Sequence, residues 1–305
     1  GGGELTEPSL AMPTAILALL STAFAAFPNP RGTAPVTRRT AVFAGSVACG
    51  CSCCSPEPAS ALASLTRPPE DDLRTYDVPR DARRDAGFAC GMATGMKDYE
   101  RAVSGRKREL FDRLLTSLPK SDAVVVELGM GSFPNAEYLA AMPSQGAAPQ
   151  RMDLIGLDPN DSMEAYARRS AAKAGLLEQG HSLRVTHGVG EVLPLADRSA
   201  DAVICTLTLC SVASPERVLA EVRRVLRPGG KLLFLEHVLS ETDAALAAQQ
   251  RAATPMQVEF ADGCHLDRRT GRLVEEAGFA SVDAKYTELT GFYFLNPTAS
   301  GIATR

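Results

Sequence analysis

The stretch Asp122-Ala-Val-Val-Val-Glu-Leu-Gly-Met-Gly-Ser-Phe133 decides the fold of this 305-residue chain. It begins with a run of β-branched apolar residues, reaches a carboxylate at Glu127, and turns at once through Gly129 and Gly131. This order is typical of a buried strand that ends in a ligand-facing loop, because glycine allows a tight turn and a close approach to the backbone. An acid just before the glycines favours a ligand with hydroxyls or an amine over one that offers only phosphates.

The composition fits a globular protein with a sizeable core, since 45% of the residues are apolar. The formal net charge of −4 argues against a nucleic-acid partner held by bulk electrostatics. Four of the eight cysteines form a C-x-C-x-C-C cluster near the N-terminus, and the other four are scattered without paired zinc spacing. We therefore predict buried thiols or a reduced compartment, and no metal site.

Residues 1–65 are predicted to be a targeting presequence that takes no part in the fold. The apolar segment Met12–Phe27 has the form of a signal-peptide core, and Pro28–Thr40 contains arginines but no acid, as transit peptides do. Together they resemble the two-part plastid presequences of algae with secondary plastids. Arg38-Arg39 also resembles the start of a twin-arginine thylakoid signal, although one long transit peptide remains an alternative. The predicted location is the plastid, with thylakoid association as an extension.

The rest of the chain divides into residues 66–120, a linker with N-terminal cap helices, and residues 121–305, the main domain. Arg67-Pro-Pro-Glu-Asp-Asp72 has the composition of a linker. Apolar residues at helical spacing predict an amphipathic helix or helix pair over residues 97–118. Its apolar face is expected either to cap a site or to make a peripheral membrane contact.

From residue 121 onward, strand patterns alternate with helix patterns. This alternation predicts an α/β fold with a doubly wound, mostly parallel sheet and helices on both faces. One helix is marked by Ser214 as N-cap, Pro215 at its first position and Glu216 in its first turn. The predicted strands are Val124–Leu128, Met152–Leu157, Ser182–Thr186, Asp201–Leu207, Lys231–His237, Ala280–Tyr286 and Gly291–Phe294 with its continuation.

Candidate binding residues follow the strands, because open α/β sheets bind ligands at the carboxyl ends of their strands. Asp158 is placed to accept hydrogen bonds from both hydroxyls of a ribose, with a helix N-cap as the alternative role. Gly188-Val-Gly-Glu191 offers small residues and an acid, which allow an adenine to lie flat and be read at its edge. A nicotinamide-dependent dehydrogenase is disfavoured, because Glu127 directly precedes the glycines and Pro134 leaves Gly-x-Gly-x-x-Gly incomplete.

Several motifs, taken in order, resemble those of class I S-adenosylmethionine-dependent methyltransferases, and most closely the UbiE-like, type 11 group. These motifs are Glu127-x-Gly-x-Gly131, Asp158, Glu191-Val-Leu-Pro-Leu195, Asp201-Ala-Val203 and Val225-Leu-Arg-Pro-Gly-Gly-Lys231. Three further segments resemble the thiol S-methyltransferase-like branch and its plant plastid relatives: Cys205–Val212, Leu235–Val238 and Ala261–Leu266. The resemblance covers about residues 97–303.

The resemblance implies S-adenosylmethionine as the cofactor and a seven-stranded Rossmann-like methyltransferase fold whose last strand is antiparallel. It also implies these cofactor-binding residues, in chain order: Glu127, Gly129, Met130, Gly131, Asp158, Pro159, Gly190, Glu191, Thr206 and Leu207. An acceptor that needs a base would be served by His237 with Asp262, with Glu236 and His265 as further candidates. A thiol acceptor would need little base catalysis.

Two departures from the family pattern carry expectations of their own. Phe133 stands where the family has a third glycine, and a bulky side chain there is expected to obstruct the methionine end or to shift the loop. Asn296-Pro-Thr298 replaces the related Asn-Pro-His, so no histidine is carried over to the acceptor site there.

The predicted function is transfer of a methyl group from S-adenosylmethionine to a small, lipophilic acceptor of thiol, phenol or quinone type. The alternative is a cofactor-binding pseudo-methyltransferase with a regulatory role, which an obstructing Phe133 would favour. Quinone-ring C-methylation is a third hypothesis. The sequence predicts nothing about the oligomeric state.

Overall fold

The structure, a computed structural model, describes residues 65–144 and 147–305. The predicted presequence, residues 1–65, lies outside the described residues except for Leu65. The plastid location therefore stays a prediction.

Seven strands form one sheet in the order β3-β2-β1-β4-β5-β7-β6. The first five strands pair in parallel, whereas β7 runs antiparallel to both β5 and β6. The predicted α/β fold with an antiparallel last strand is confirmed. The strands are β1 Ala123–Leu128, β2 Met152–Asp158, β3 Ser182–His187, β4 Ala200–Thr206, β5 Leu226–His237, β6 Ser281–Thr287 and β7 Thr298–Thr304.

The helices of the described residues lie before β1 or between consecutive strands. Two short 3₁₀ turns, Asp161–Met163 and Tyr293–Leu295, accompany them. The α-helices are α1 Glu70–Tyr76, α2 Ala82–Gly95, α3 Lys97–Ser117, α4 Ala136–Leu139, α5 Glu164–Ala174, α6 Pro215–Val225, α7 Ala244–Phe260 and α8 Thr270–Glu276.

Strand β1 is buried along its whole length and supplies both faces of the core. Val124 and Val126 belong to a cluster that includes apolar residues of α6, whereas Val125 belongs to a second cluster that includes apolar residues of α3. Alternate residues of a strand point to opposite faces, so β1 must be apolar on both. The sheet order places β2 on one side of β1 and β4 on the other, which makes the carboxyl end of β1 the switch point where ligands bind.

The well-marked helix of the sequence forms as predicted. Helix α6 begins at Pro215, and the Ser214 side chain accepts a hydrogen bond from the Arg217 backbone N–H. The proline costs nothing at this position, because the first N–H groups of a helix have no partner within it.

Three predicted boundaries are wrong. The predicted linker contains the start of α1, because Glu70, Asp71 and Asp72 follow Pro69 and occupy the first turn of a helix, where acids are favoured. Strand β5 begins at Leu226 instead of Lys231. The last strand is Thr298–Thr304, whereas the predicted run Gly291–Phe294 leads into a 3₁₀ turn.

Helix α3 buries its apolar face in the domain. Val103, Leu110, Phe111 and Leu114 are at most 2% exposed and pack into the core. The predicted membrane contact was based on this face, so it stays a prediction without support from α3. Within the described residues, no helix is long and apolar enough to cross a membrane.

Candidate active site

A cavity of about 840 Å³ opens at the carboxyl ends of the parallel strands. Its wall includes the loop after β1, the ends of β2 and β4, and residues of α2 and α3. Nine of the ten predicted cofactor-binding residues line it: Gly129, Met130, Gly131, Asp158, Pro159, Gly190, Glu191, Thr206 and Leu207. A volume of this size accommodates a nucleoside cofactor together with a small second substrate.

The loop after β1 is held by backbone geometry that glycine makes possible. Gly129 and Gly131 have φ of +57° and +56°, in the left-handed region. A Cβ atom on Gly129 would lie 2.6 Å from the Thr208 Oγ1 atom, so a side chain there would also clash. The Met130 backbone N–H donates to the Leu157 carbonyl, and the Met130 side chain packs over Gly156 of β2.

Asp158 ties this loop to the end of β2. Its Oδ2 atom accepts a hydrogen bond of 2.8 Å from the Gly131 N–H, and its Oδ1 atom accepts one of 2.9 Å from the Asn160 N–H. Burial raises the pKa of the Asp158 carboxyl to about 6, although these two N–H groups oppose the shift. Each carboxylate oxygen keeps a second lone pair. Asp158 can therefore hold the loop and accept from ribose hydroxyls at the same time.

Glu127 lies next to the cavity wall, in the core, and is 3% exposed. Its Oε1 atom accepts a hydrogen bond from the Asn135 side-chain amide, which also donates to the Thr206 Oγ1 atom. The Oε2 atom has no hydrogen-bond partner within residues 65–144 and 147–305. Burial raises the pKa of the Glu127 carboxyl to about 8, although the Asn135 hydrogen bond and the Lys107 ammonium oppose the shift.

The sequence patterns did not identify Lys107 and Glu100 of α3 as site residues. Lys107 is 1% exposed, and its Nζ atom contacts the Glu100 Oε2 atom at 2.7 Å. Both residues line the cavity. The sequence does offer a signal for Lys107, because this lysine stands at helical spacing between the apolar residues Val103 and Leu110. A lysine on the apolar face of a helix is almost never fully buried unless it is paired. Asn135 was not identified either, because nothing in the sequence Pro134-Asn135 indicates that this amide orients the Glu127 carboxylate.

Gly190 and Glu191 form part of the wall between β3 and α6. A Cβ atom on Gly190 would lie 3.1 Å from the Val218 Cγ2 atom, so the glycine allows this segment to pack close to α6. Glu191 is buried, and its Oε1 atom accepts from the Ser214 backbone N–H. Its side chain therefore supports the start of α6 as well as the cavity wall.

Phe133 lies in the core beside the loop after β1. The residue takes a φ of +59°, so it keeps the left-handed torsion that a glycine would supply. Its side chain is fully buried and packs in the core cluster with Met130, Ala136 and Tyr138. The ring lies in the core and contributes only to the cavity wall. The expected obstruction of cofactor binding stays a prediction, and this burial argues against it.

His237 and Asp262 do not contact each other, and each has another partner. His237 is 1% exposed, and its Nε2 atom lies 3.1 Å from the Cys264 Sγ atom. Asp262 lines the cavity, and its Oδ1 atom accepts a hydrogen bond of 2.6 Å from Arg80. The structure thus places one of the two predicted catalytic residues on the cavity and the other outside its lining. Of the further candidates, His265 lines the cavity, and Glu236 accepts from the Thr208 and Leu209 N–H groups.

The N-terminal helices are fastened to the cavity by ionic contacts. Arg80 joins Asp85 of α2 to Asp262, and the Asn160 side chain donates to the Asp85 carbonyl. Asp77, just after α1, contacts His187 at the end of β3. Helices α1, α2 and α3 all contribute residues to the cavity wall, and we call them the cap helices.

The site fits S-adenosylmethionine on its own geometry. The unpaired Oε2 atom of Glu127 offers a buried acceptor for an ammonium group, and Asp158 offers acceptors for a ribose. The glycine loop leaves room for close backbone approach. The residues at the methionine end and the ribose end thus match the two polar ends of that cofactor.

Comparison with known proteins agrees with the geometry. The sequence profile named methyltransferase domain matches residues 126–234. The thiol S-methyltransferase TMT1B of Rattus norvegicus is 35% identical over 64% of this chain and 76% of its own length. The human TMT1B is 37% identical over 63% and 74%. The chain belongs to the class I S-adenosylmethionine-dependent methyltransferases.

More distant matches agree with this family. The ubiquinone/menaquinone biosynthesis C-methyltransferase UbiE of Klebsiella pneumoniae is 30% identical over 44% of this chain and 58% of its own length. A chain in the solved complex of the Haloferax volcanii Trm112 methyltransferase activator with a methyltransferase aligns with a TM-score of 0.51 and 19% identity. That alignment covers 74% of this chain and 99% of the other, and it supports the fold alone. This methyltransferase therefore uses S-adenosylmethionine as its cofactor.

Proposed function

We propose that this methyltransferase transfers the methyl group of S-adenosylmethionine to a small, lipophilic thiol. The observation that carries the proposal is the apolar character of the cap. Phe88, Met92 and Met96 come from α2 and the residue that follows it, and all three line the cavity. Methionine adapts its shape to varied apolar partners, so this wall suits a flexible lipophilic acceptor. The names of the rat and human relatives support a thiol as the methylated group.

The chemistry asks little of the protein beyond alignment. The bound cofactor supplies an activated methyl group, and in-line displacement needs the acceptor held at the correct angle and distance. A free thiol has a pKa near about 8.5, so a useful fraction is ionised near neutral pH without a dedicated base. Asp262 is engaged by Arg80, which fits an acceptor that needs no strong base.

The residues of this chain contribute orientation and exclusion of water. Asp158 and Glu127 would fix the two polar ends of the cofactor, and Thr206 with Leu207 would bound its reactive centre. The cap helices would cover the acceptor and remove it from water, which strengthens the electrostatic contacts inside the site.

The proposal is tested with full-length protein and labelled S-adenosylmethionine. An alkyl thiol, a phenol and a quinol of similar apolar size are compared as acceptors. We expect the thiol to give the highest kcat/KM. A higher kcat/KM for the phenol or the quinol would overturn the thiol assignment.

A variant of the cap tests the lipophilic part of the proposal. Met92→Glu places a charge in the apolar wall and should raise the KM for the alkyl thiol about ten-fold or more, because lost burial of one methionine costs about 1.5–3 kcal/mol. Cofactor affinity should stay unchanged. Thr94→Glu puts the same charge on an exposed position of the same helix and serves as the control. Equal KM values for the two variants would contradict a lipophilic acceptor in contact with α2.

A further inference from the structure

Three residues with metal-binding side chains meet behind one wall of the cavity. Cys210 lies in the loop after β4, His237 ends β5, and Cys264 lies in the loop after α7. The two Sγ atoms and a ring nitrogen of His237 all lie within 4.8 Å of one another, and all three residues are buried. Within the described residues this is the group of histidine, cysteine and acidic side chains that could hold an ion.

The dimensions of the cluster match a zinc site. The His237 Nε2 atom lies 3.1 Å from the Cys264 Sγ atom, and the Cys210 Sγ atom lies within 4.8 Å of both. Tetrahedral zinc, with Zn–S near about 2.3 Å and Zn–N near about 2.0–2.1 Å, separates its ligand atoms by about 3.5–3.8 Å. Adjustments of about 1 Å or less would therefore bring the three atoms to coordinating positions.

Backbone contacts hold the two cysteine loops in register. The His265 N–H donates to the Cys210 carbonyl at 2.8 Å. Arg268 Nη1 donates to the Leu209 and Val212 carbonyls at 2.7 Å each. The residues beside both cysteines are thus bonded to each other, which is the support that a metal site needs to keep its ligands in place.

Charge also favours a bound cation. Two thiolates with one divalent cation and a neutral imidazole have no net charge, so such a centre avoids the cost of burying an isolated ion. Thiolate and imidazole ligands together select zinc among the common cations.

We propose that Cys210, His237 and Cys264 bind one zinc ion, with a small exchangeable ligand at the fourth position. Three protein ligands are typical of zinc sites that keep one position open. Ser211, Gly263 and His265, which flank the two cysteines in sequence, line the cavity. The ion fastens the loop after β4 to the loop after α7 behind that wall. This proposal does not depend on which acceptor is methylated.

This proposal departs from the prediction of no metal site, and the reason is physical. The two cysteines lie far apart in the sequence and the histidine sits on a different strand. Sequence spacing recognises zinc sites only when the ligands come from one or two local turns.

The test measures zinc bound by full-length protein that is loaded with zinc, desalted and analysed for metal. Every sample carries Cys49→Ser, Cys51→Ser, Cys53→Ser and Cys54→Ser, so that the N-terminal cysteines add no thiolates. Cys210→Ser and Cys264→Ser are compared with Cys90→Ser, which removes an exposed thiol. Cobalt substitution gives a second readout, because tetrahedral thiolate coordination produces an intense charge-transfer absorption.

We expect about one zinc per chain in the background protein and in Cys90→Ser, because a three-ligand site holds a single ion. We expect a loss of ten-fold or more in Cys210→Ser and Cys264→Ser. Calorimetric cofactor binding shows that these variants remain folded, and Cys264→His should regain zinc. Zinc-free background protein would overturn the proposal, as would a Cys210–Cys264 disulfide or equal zinc in Cys264→Ser.

Discussion

At Phe133 a bulky residue carries a backbone torsion that favours glycine. The left-handed φ costs roughly 1–2 kcal/mol for a residue with a side chain, and full burial of the ring offsets this cost. The ring is anchored in the core and contributes only to the wall of the cavity.

Replacement of the Phe133 ring tests whether its packing outweighs the backbone strain. Phe133→Gly should lower the free energy of unfolding by about 1–4 kcal/mol, because the lost packing of about 3–5 kcal/mol exceeds the relieved strain. Urea unfolding measures the change. Phe133→Leu, which keeps the strained torsion and part of the packing, is the matched control. A more stable Phe133→Gly protein would show that the ring does not pack as described.

Glu127 should make cofactor binding depend on pH. Its carboxyl has a pKa raised to about 8 in the free protein, whereas an ammonium group favours the ionised form. Binding must therefore release a proton below pH 8, and affinity should rise up to about ten-fold per pH unit before it levels off above pH 8. Calorimetry in buffers of different ionisation enthalpy measures the proton. Glu127→Gln should bind more weakly and without this pH dependence; an equally steep dependence in that variant would assign it to another group.

Among the elements, the ones with clear end signals were predictable from the sequence. Helix α6 follows from Ser214-Pro215-Glu216, and β1 follows from an apolar run that ends in glycines. Strand β7 could not be placed, because its small residues have little strand propensity. Gly301 shows what places β7 in the sheet instead. A Cβ atom on Gly301 would lie 2.0 Å from the Asp283 carbonyl oxygen, so the glycine allows β7 to approach β6 closely enough to pair with it.

The cap helices give a prediction at the same scale. Arg80→Ala removes the link between α2 and Asp262 and should raise the acceptor KM roughly five- to thirty-fold, which corresponds to about 1–2 kcal/mol. The cofactor dissociation constant should change less. Arg83→Ala, which removes an exposed arginine within α2, is the control. Steady-state kinetics would contradict the role of the cap if both variants had the same acceptor KM.

For the whole molecule, two buried carboxyls at the candidate cofactor site make the stability of the fold depend on pH. Burial raises the pKa of Glu127 to about 8 and that of Asp158 to about 6. An acid with a raised pKa in the folded state stabilises the fold fully below its unfolded pKa, and this stability is lost as the pH rises through the folded pKa. The sequence could locate these carboxylates at strand ends, but only the fold reveals how completely each is buried.

The melting temperature should depend on pH, because ionisation of these two buried carboxyls destabilises the fold. Without cofactor, Tm should fall between about pH 5 and pH 8, because Asp158 and then Glu127 ionise in a buried position. Saturating S-adenosylmethionine should raise Tm more at pH 8 than at pH 6, since it stabilises the ionised Glu127. Thermal scans of wild-type and Glu127→Gln protein measure both effects. A larger cofactor shift at pH 6 would contradict the described state of Glu127.

We expect this chain to hold S-adenosylmethionine in the loop after β1, despite Phe133. Calorimetric titration of the cofactor into wild-type, Asp158→Ala and Phe133→Gly protein tests it most directly. The structure predicts one binding site in the wild type, a loss of ten-fold or more in affinity for Asp158→Ala, and no gain for Phe133→Gly. No binding to the wild type, with binding restored by Phe133→Gly, would contradict the claim.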